Sequence, residues 1–116
     1  MQSARTPEGE RVEDLVLRSI ADRNQRDDGL GAFGAVIGAT RDAPEFDLAH
    51  LGGPFLVPGV GAQGGSAENV ARLFSRCPSD TVLVNVGRTI LKAGPERAAL
   101  RDAARRWRDE LNQALA

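Results

Sequence analysis

Two short stretches of this sequence carry residue types that could hold an anion. The first is Gly59-Val60-Gly61-Ala62-Gln63-Gly64-Gly65, in which glycines let backbone N–H groups turn toward a charge with no Cβ in the way. Gln63 adds a side-chain amide donor. The second is Asn85-Val86-Gly87-Arg88, where Gly87 and Arg88 can offer N–H groups and the Arg88 guanidinium adds a charged fork suited to phosphate. Neither stretch is decisive alone. No Gly-Lys-Ser/Thr follows the first, and no acidic residue ends a second strand about 20 residues later, so it is neither a P-loop nor a dinucleotide fingerprint. The pairing is more specific. A Gly/Gln loop followed one strand–helix unit later by a Gly-Arg loop places two donor sets at successive strand ends, where parallel sheets bind ligands.

Other residues with chemical potential read more plainly. Lys92 is the only lysine in the chain, and its place beyond the second loop fits a solvated helix end. Cys77 falls on an apolar helical face and reads as a buried, inert thiol. His50 is the only histidine, with no nucleophile elbow to serve. Glu45 and Asp47 are close in sequence, but a loop of solvated charges accounts for them. Arg101, Arg105, Arg106 and Arg108 alternate with Asp102, Asp109 and Glu110, the pattern of a salt-bridged outer helix face. Trp107 at helical spacing reads as core or subunit contact.

The elements that must position the two loops follow from periodicity. Val12, Leu15, Val16 and Ile20 recur at helical spacing, with charges between them, and predict a helix over residues 7–26, with Thr6 as N-cap and Pro7 in the first turn. Residues 24–31 read as a loop. The apolar runs at 32–38, 54–57 and 81–84 predict three strands covered on both faces, as in parallel sheets. Residues 40–53, with Pro44, predict a loop with at most one short helix. Ser66 can cap a helix whose apolar face is Val70, Leu73, Phe74 and Cys77. Residues 87–93 predict a short helix. Pro95 opens a long last one with Leu100, Ala103, Ala104, Trp107 and Leu111 on one face. Strands alternating with helices imply an α/β fold of parallel βα units. Three strands leave two sheet edges open, so the pattern reads as part of a larger fold or as a chain that needs a partner.

Composition narrows the class. The chain has 116 residues, one domain's worth, with 41% hydrophobic and 27% charged residues. A net charge of −1 argues against a nucleic-acid binder. One cysteine excludes an internal disulfide framework and fits a reducing cytoplasm. No apolar run approaches the roughly 20 residues of a membrane span. Of 13 glycines, six lie between Gly52 and Gly65, which marks that segment as a functional loop.

The motifs AVIGAT (35–40), GGPFLVPGVGAQGG (52–65) and NVGRTILKAGP (85–95) resemble orotidine 5'-phosphate decarboxylase, and in particular its actinobacterial-type subgroup. The last helix, RRWRDELN (105–112), and the segment after TPEG (6–9) are similar too. The resemblance covers nearly the whole chain. It implies a single partial domain over 1–116: the C-terminal three βα units of a (β/α)8 barrel, whose loops after the last two strands are the usual phosphate site.

By resemblance, Gln63 and Arg88 bind the 5'-phosphate of the nucleotide through their side chains, and Gly87 and Arg88 also through backbone N–H groups. Pro58, Gly59 and Val60 line the pyrimidine side. The family converts orotidine 5'-phosphate to uridine 5'-phosphate and CO2 with no metal or organic cofactor. A Lys–Asp network destabilises the substrate carboxylate, and its lysine protonates the carbanion. That network comes from an Asp-x-Lys-x-x-Asp segment, and nothing in this sequence matches it. Gly87 replaces the usual Ser or Ala before the arginine. Ala4-Arg5-Thr6-Pro7-Glu8-Gly9 replaces Thr-Ser-Asn-Pro-Glu-Gly. The resemblance therefore implies no catalytic residue in this chain and a nucleotide ligand. Its partner is a homodimer mate or a complementing N-terminal fragment. The alternatives are a non-catalytic nucleotide-binding fragment and an inactive remnant.

Overall fold

A hairpin turn, three parallel strands and four helices make up the structure, a computed structural model that describes residues 3–26 and 28–116. The helices are α1 (Val12–Asn24), α2 (Ala67–Phe74), α3 (Arg88–Leu91) and α4 (Arg97–Leu115), and the strands are β1 (Ala35–Val36), β2 (Phe55–Val57) and β3 (Val82–Val84). The sheet order is β1-β2-β3, all parallel, with Val36 beside Leu56 and Leu56 beside Leu83. One 3-10 turn, Leu48–His50, lies between β1 and β2, so the 40–53 segment is the loop with one short helix that its sequence implies.

The helix expected over residues 7–26 starts later, at Val12. The Gly9 N–H donates to the Thr6 carbonyl over 2.9 Å, and the Thr6 N–H donates to the Glu10 carbonyl over 2.8 Å. Gly9 has φ +90°, which no helix admits. Pro at the second and Gly at the fourth position of a four-residue turn is a turn signature, and here it overrides the helix-start reading of Thr6-Pro7. Arg5 and Arg11 pair across the hairpin.

The buried face of α1 is not centred on its apolar stripe. Asp14, Leu17, Ala21 and Asn24 are buried, whereas Leu15 is 39% and Val16 is 52% exposed. Polar anchors set this orientation. The Asn24 amide donates to the Phe33 and Leu51 carbonyls over 2.9 and 2.8 Å and accepts from the Phe33 N–H. Asp14 accepts from the Phe46 N–H over 2.8 Å. The Asn24 amide is paired on both its nitrogen and its oxygen, whereas Asp14 is paired through Oδ1 and its buried Oδ2 has no partner among the described residues; these bonds hold the helix by its less apolar side. Gly31 and Gly53 pack so tightly against Asn24 and the Phe33 carbonyl that a Cβ at either position would collide with them.

The α2 helix forms with the Ser66 cap its sequence implies but ends at Phe74, so Cys77, expected buried on its apolar face, lies three residues beyond it and is half-buried. The Ser66 Oγ accepts from the Asn69 N–H over 3.2 Å, and the Asn69 Oδ1 accepts from the Ser66 N–H over 2.9 Å, which closes a capping box. Its apolar side packs under the sheet. Phe55 and Phe74 rings meet at 5.0 Å, tilted by 56°, and Val57, Val70 and Val82 complete that layer. The α4 helix starts at Arg97, two residues after Pro95, and buries Ala103 and Leu111 while Ala104 is exposed.

The opposite face of the sheet is open. Val36, Leu56 and Leu83 form one in-register row that is 66%, 45% and 57% exposed. The expected cover on both faces therefore exists on one only. No described helix is long and apolar enough to cross a membrane.

Candidate functional site

Both candidate loops stand at the carboxyl ends of neighbouring parallel strands. Pro58 directly follows β2, and Asn85 directly follows β3 and donates its N–H to the Val57 carbonyl over 3.0 Å. The shared end follows from parallel pairing, because each strand releases its chain on the same side of the sheet.

The first loop is a self-bonded turn. Gly61 donates to the Gly65 carbonyl over 2.8 Å, Gly64 to Gly61 over 2.9 Å and Gly65 to Gly59 over 3.0 Å. Gly59, Gly61 and Gly64 have φ of +95°, +80° and +93°, a region L-residues avoid at a cost of about 1–2 kcal/mol each. The Pro58 carbonyl accepts from the Ala39 N–H over 2.9 Å, which ties the loop to the end of β1 as well. The Gln63 amide oxygen folds back over Gly59, where a Cβ would lie 3.3 Å from it. Gln63 is exposed.

The two loops touch. A Cβ on Gly61 would collide with Thr89 Oγ1 and come within 3.5 Å of the Trp107 ring. Gly61 must therefore lack a side chain for the first loop to reach the start of α3. Arg88, one residue before Thr89, is exposed and forms no ion pair among the described residues. Arg26, Arg72, Arg97, Arg105 and Arg106 are likewise unpaired, so position rather than availability distinguishes Arg88. The Ile90 and Leu91 N–H groups both donate to the Gly87 carbonyl, while those of Arg88 and Thr89 have no acceptor among the described residues.

The structure thus gathers Pro58, Gly59, Gln63, Gly87 and Arg88 at one end of the sheet. Val60 is different. Its side chain is 5% exposed and sits in the apolar core, so only its backbone faces the loop. The wider grooves lie elsewhere: one of about 510 Å³ runs between β3 and α4, along Val82, Val84, Trp107 and Leu111. Lys92 is exposed beyond the second loop.

The remaining candidates have structural roles. Asp47 caps the 3-10 turn by accepting from the Ala49 N–H, and it pairs with Arg76 at 2.5 Å. Glu45 pairs with Arg11 at 3.1 Å. The Cys77 thiol is half-buried, and burial first, then the Asp47 carboxylate, push its pKa up against the opposing pull of Arg76. It is therefore a poor nucleophile. The Glu68 carboxyl is held below the usual carboxylate range by the Ser66 hydroxyl and then by its own backbone N–H. Among the described residues no three His, Cys, Asp or Glu side chains are grouped to hold a metal. Sequence reasoning missed Asn24 and Asp14, because polar residues at helical spacing read as solvent-facing.

No family model matches the chain. It is similar over 99% of its length to curated orotidine 5'-phosphate decarboxylases, with 39% identity to that of Streptomyces coelicolor, 41% to that of Salinispora tropica and 42% to that of Salinispora arenicola. In each case it spans 41% of the relative's length. A crystal structure from Streptomyces avermitilis, provisionally assigned as an orotidine 5'-phosphate decarboxylase, superposes with a TM-score of 0.83 at 38% identity. That match covers 98% of this chain and 40% of the other. Along nearly its whole length, this chain is homologous to about two fifths of an orotidine 5'-phosphate decarboxylase.

Proposed function

We propose that the chain is the C-terminal portion of an orotidine 5'-phosphate decarboxylase: three βα units of a (β/α)8 barrel that supply the phosphate-binding part of the site. The observation that carries this reading is the contact between Gly61 and Thr89, which sets the Gln63 turn beside the Gly87-Arg88 turn at one end of a parallel sheet. An exposed guanidinium, a side-chain amide and two backbone N–H groups with no acceptor among the described residues match a phosphate dianion in charge and donor count. Pro58, Gly59 and the Val60 backbone border the same turn and would face the pyrimidine.

The reaction would be loss of CO2 from orotidine 5'-phosphate in uridylate synthesis, with no cofactor. This chain's share is binding. Grip on a remote phosphate supplies free energy that helps organise the reacting centre. The Lys–Asp segment that would do the chemistry has no counterpart here, since Lys92 is the sole lysine and stands outside the loops. That favours a second reading for the chain by itself: a nucleotide-binding fragment that does not decarboxylate.

Titration of the chain with uridine 5'-phosphate tests the assignment. Saturable binding is expected, and Arg88→Ala should weaken it by about 1.5–3 kcal/mol, the range for a hydrogen bond to a charged group. No saturable binding, or binding indifferent to Arg88→Ala, would sink the phosphate subsite and leave an inactive remnant.

A further inference from the structure

A shared grip on one dianion needs the two turns held at a fixed separation, and the sheet alone does not hold them. Among the described residues, every backbone hydrogen bond donated from Gly61 through Gly65 stays inside the first turn. Gly59, Gly61 and Gly64 have positive φ, so the turn is pliant by composition. Its base is tied to β1 through the Pro58 carbonyl, but its tip has no such tie. The second turn leads into α3, which has only four residues. A helix that short has little stability of its own and depends on its neighbours.

One helix supports both turns. Leu100 and Trp107, two turns apart, fall on the same side of α4, and both are half-buried. At Gly94, just past α3, a Cβ would lie 3.1 Å from Leu100 Cδ2. At Gly61, in the first turn, a Cβ would lie 3.1 Å from Thr89 Cβ and 3.5 Å from Trp107 Cζ2. Val86 of the second turn and Ile90 of α3 line the same groove as the indole. Trp107 therefore stands where the first turn, the second turn and α3 meet. The rest of its ring packs against the apolar core.

The size of the side chain matters at such a junction. A shorter residue would leave a gap beside Gly61, and a close-packed interior does not keep gaps where a pliant segment can fill them. The tip of the first turn would sink toward α4. Gln63, two residues along, would move with it, while Arg88 would stay with α3.

We infer that Trp107 is a positioning residue of the phosphate site: its indole props the Gly61 turn against Thr89 and so fixes the Gln63 amide relative to the Arg88 guanidinium. It acts through Gly61 and Thr89. The prop rests on the contacts around Gly61, and its role rests on the proposed phosphate reading.

Calorimetric titration of the full chain with uridine 5'-phosphate tests this, beside urea unfolding of each variant. Trp107→Leu should weaken binding about tenfold or more, as ångström-scale misplacement of binding groups does. Trp107→Phe keeps a ring in the junction and should recover most of that loss. Leu111→Ala opens a gap in the same helix one turn further on. It should lower the urea midpoint at least as far as Trp107→Leu and leave the affinity of the folded chain unchanged. Unchanged affinity in Trp107→Leu overturns the inference. So does an equal loss in Leu111→Ala, which would make Trp107 an ordinary core residue. If Trp107→Leu does not fold, Thr89→Ala opens the same junction from its smaller side: weakened binding supports the inference and unchanged binding overturns it. No saturable binding to the parent chain overturns the phosphate reading and this role with it, whereas binding kept in Trp107→Leu overturns the role alone.

Discussion

The two faces of the three-stranded sheet differ more than its sequence implies. On one, Phe55, Val57 and Val82 are buried against α2 and its neighbours. On the other, Val36, Leu56 and Leu83, equally apolar and alternating with them, are about half exposed or more. The residues of β2 alternate buried, exposed, buried although all three are apolar. A strand meant to be covered on one face only would carry polar residues on the other. The difference teaches that the chain is composed for two-sided burial and achieves one side by itself.

Substitution on each face should break that comparison most sharply. Phe74→Ala removes a ring from the closed face and should cost about 3–5 kcal/mol of stability. Leu83→Ala removes three carbons' worth of contact from the open face and should cost under about 0.5 kcal/mol, as exposed positions do. Urea unfolding of the isolated chain measures both. Comparable losses for the two would mean that the open face is covered in solution, and addition of a partner that closes it should raise the Leu83→Ala cost alone.

Much of the closed face and the loop cluster was legible in the residues. The Ser66 cap, the three apolar runs and the two strand-end loops carry local signals: a capping pattern, turn glycines and uninterrupted β-branched or aromatic residues. What was not legible depended on non-local pairing. The stripe of Val12, Leu15, Val16 and Ile20 gives the correct period for α1 but does not say which residues are covered: Ile20 packs against the core while Leu15 and Val16 stay exposed. Asn24 and Asp14 look solvent-facing until the Phe33, Leu51 and Phe46 backbone groups they bond are known. The Thr6-Pro7-Glu8-Gly9 turn had a clear signature that competed with an equally clear helix start, and Gly9 settles it through its positive φ. In the candidate site, Val60 was grouped with its neighbours by sequence alone, while burial separates it from them.

A smaller effect should follow at the junction of the two loops, on the closed side's edge. Gly61→Ala places a Cβ against Thr89 at a residue with φ +80°. Left-handed backbone costs an alanine about 1–2 kcal/mol, and relief of the collision must push the Gln63 turn away from α3. Uridine 5'-phosphate affinity should therefore fall with stability, whereas Gly64→Ala, with φ +93° and open space around it, should lose comparable stability and keep affinity. Equal affinity losses at Gly61 and Gly64 would show that the Thr89 contact does not set the site.

The smallest expected effect is a pH dependence at Cys77, which lies on the closed side beside Phe74. Burial first, and the Asp47 carboxylate second, raise the thiol's pKa in the folded chain. The neutral thiol is thus preferred in the folded state more than in the unfolded one. The contribution is fully present below the ordinary thiol pKa and is lost as pH rises from there through the raised folded value. The difference in urea midpoint between the parent chain and Cys77→Ala should be constant near neutrality and should shift against the parent above about pH 8.5, the ordinary thiol value. A flat difference across that range would mean that the thiol is as free in the folded chain as in the unfolded one, and that the closed face does not extend past the end of α2.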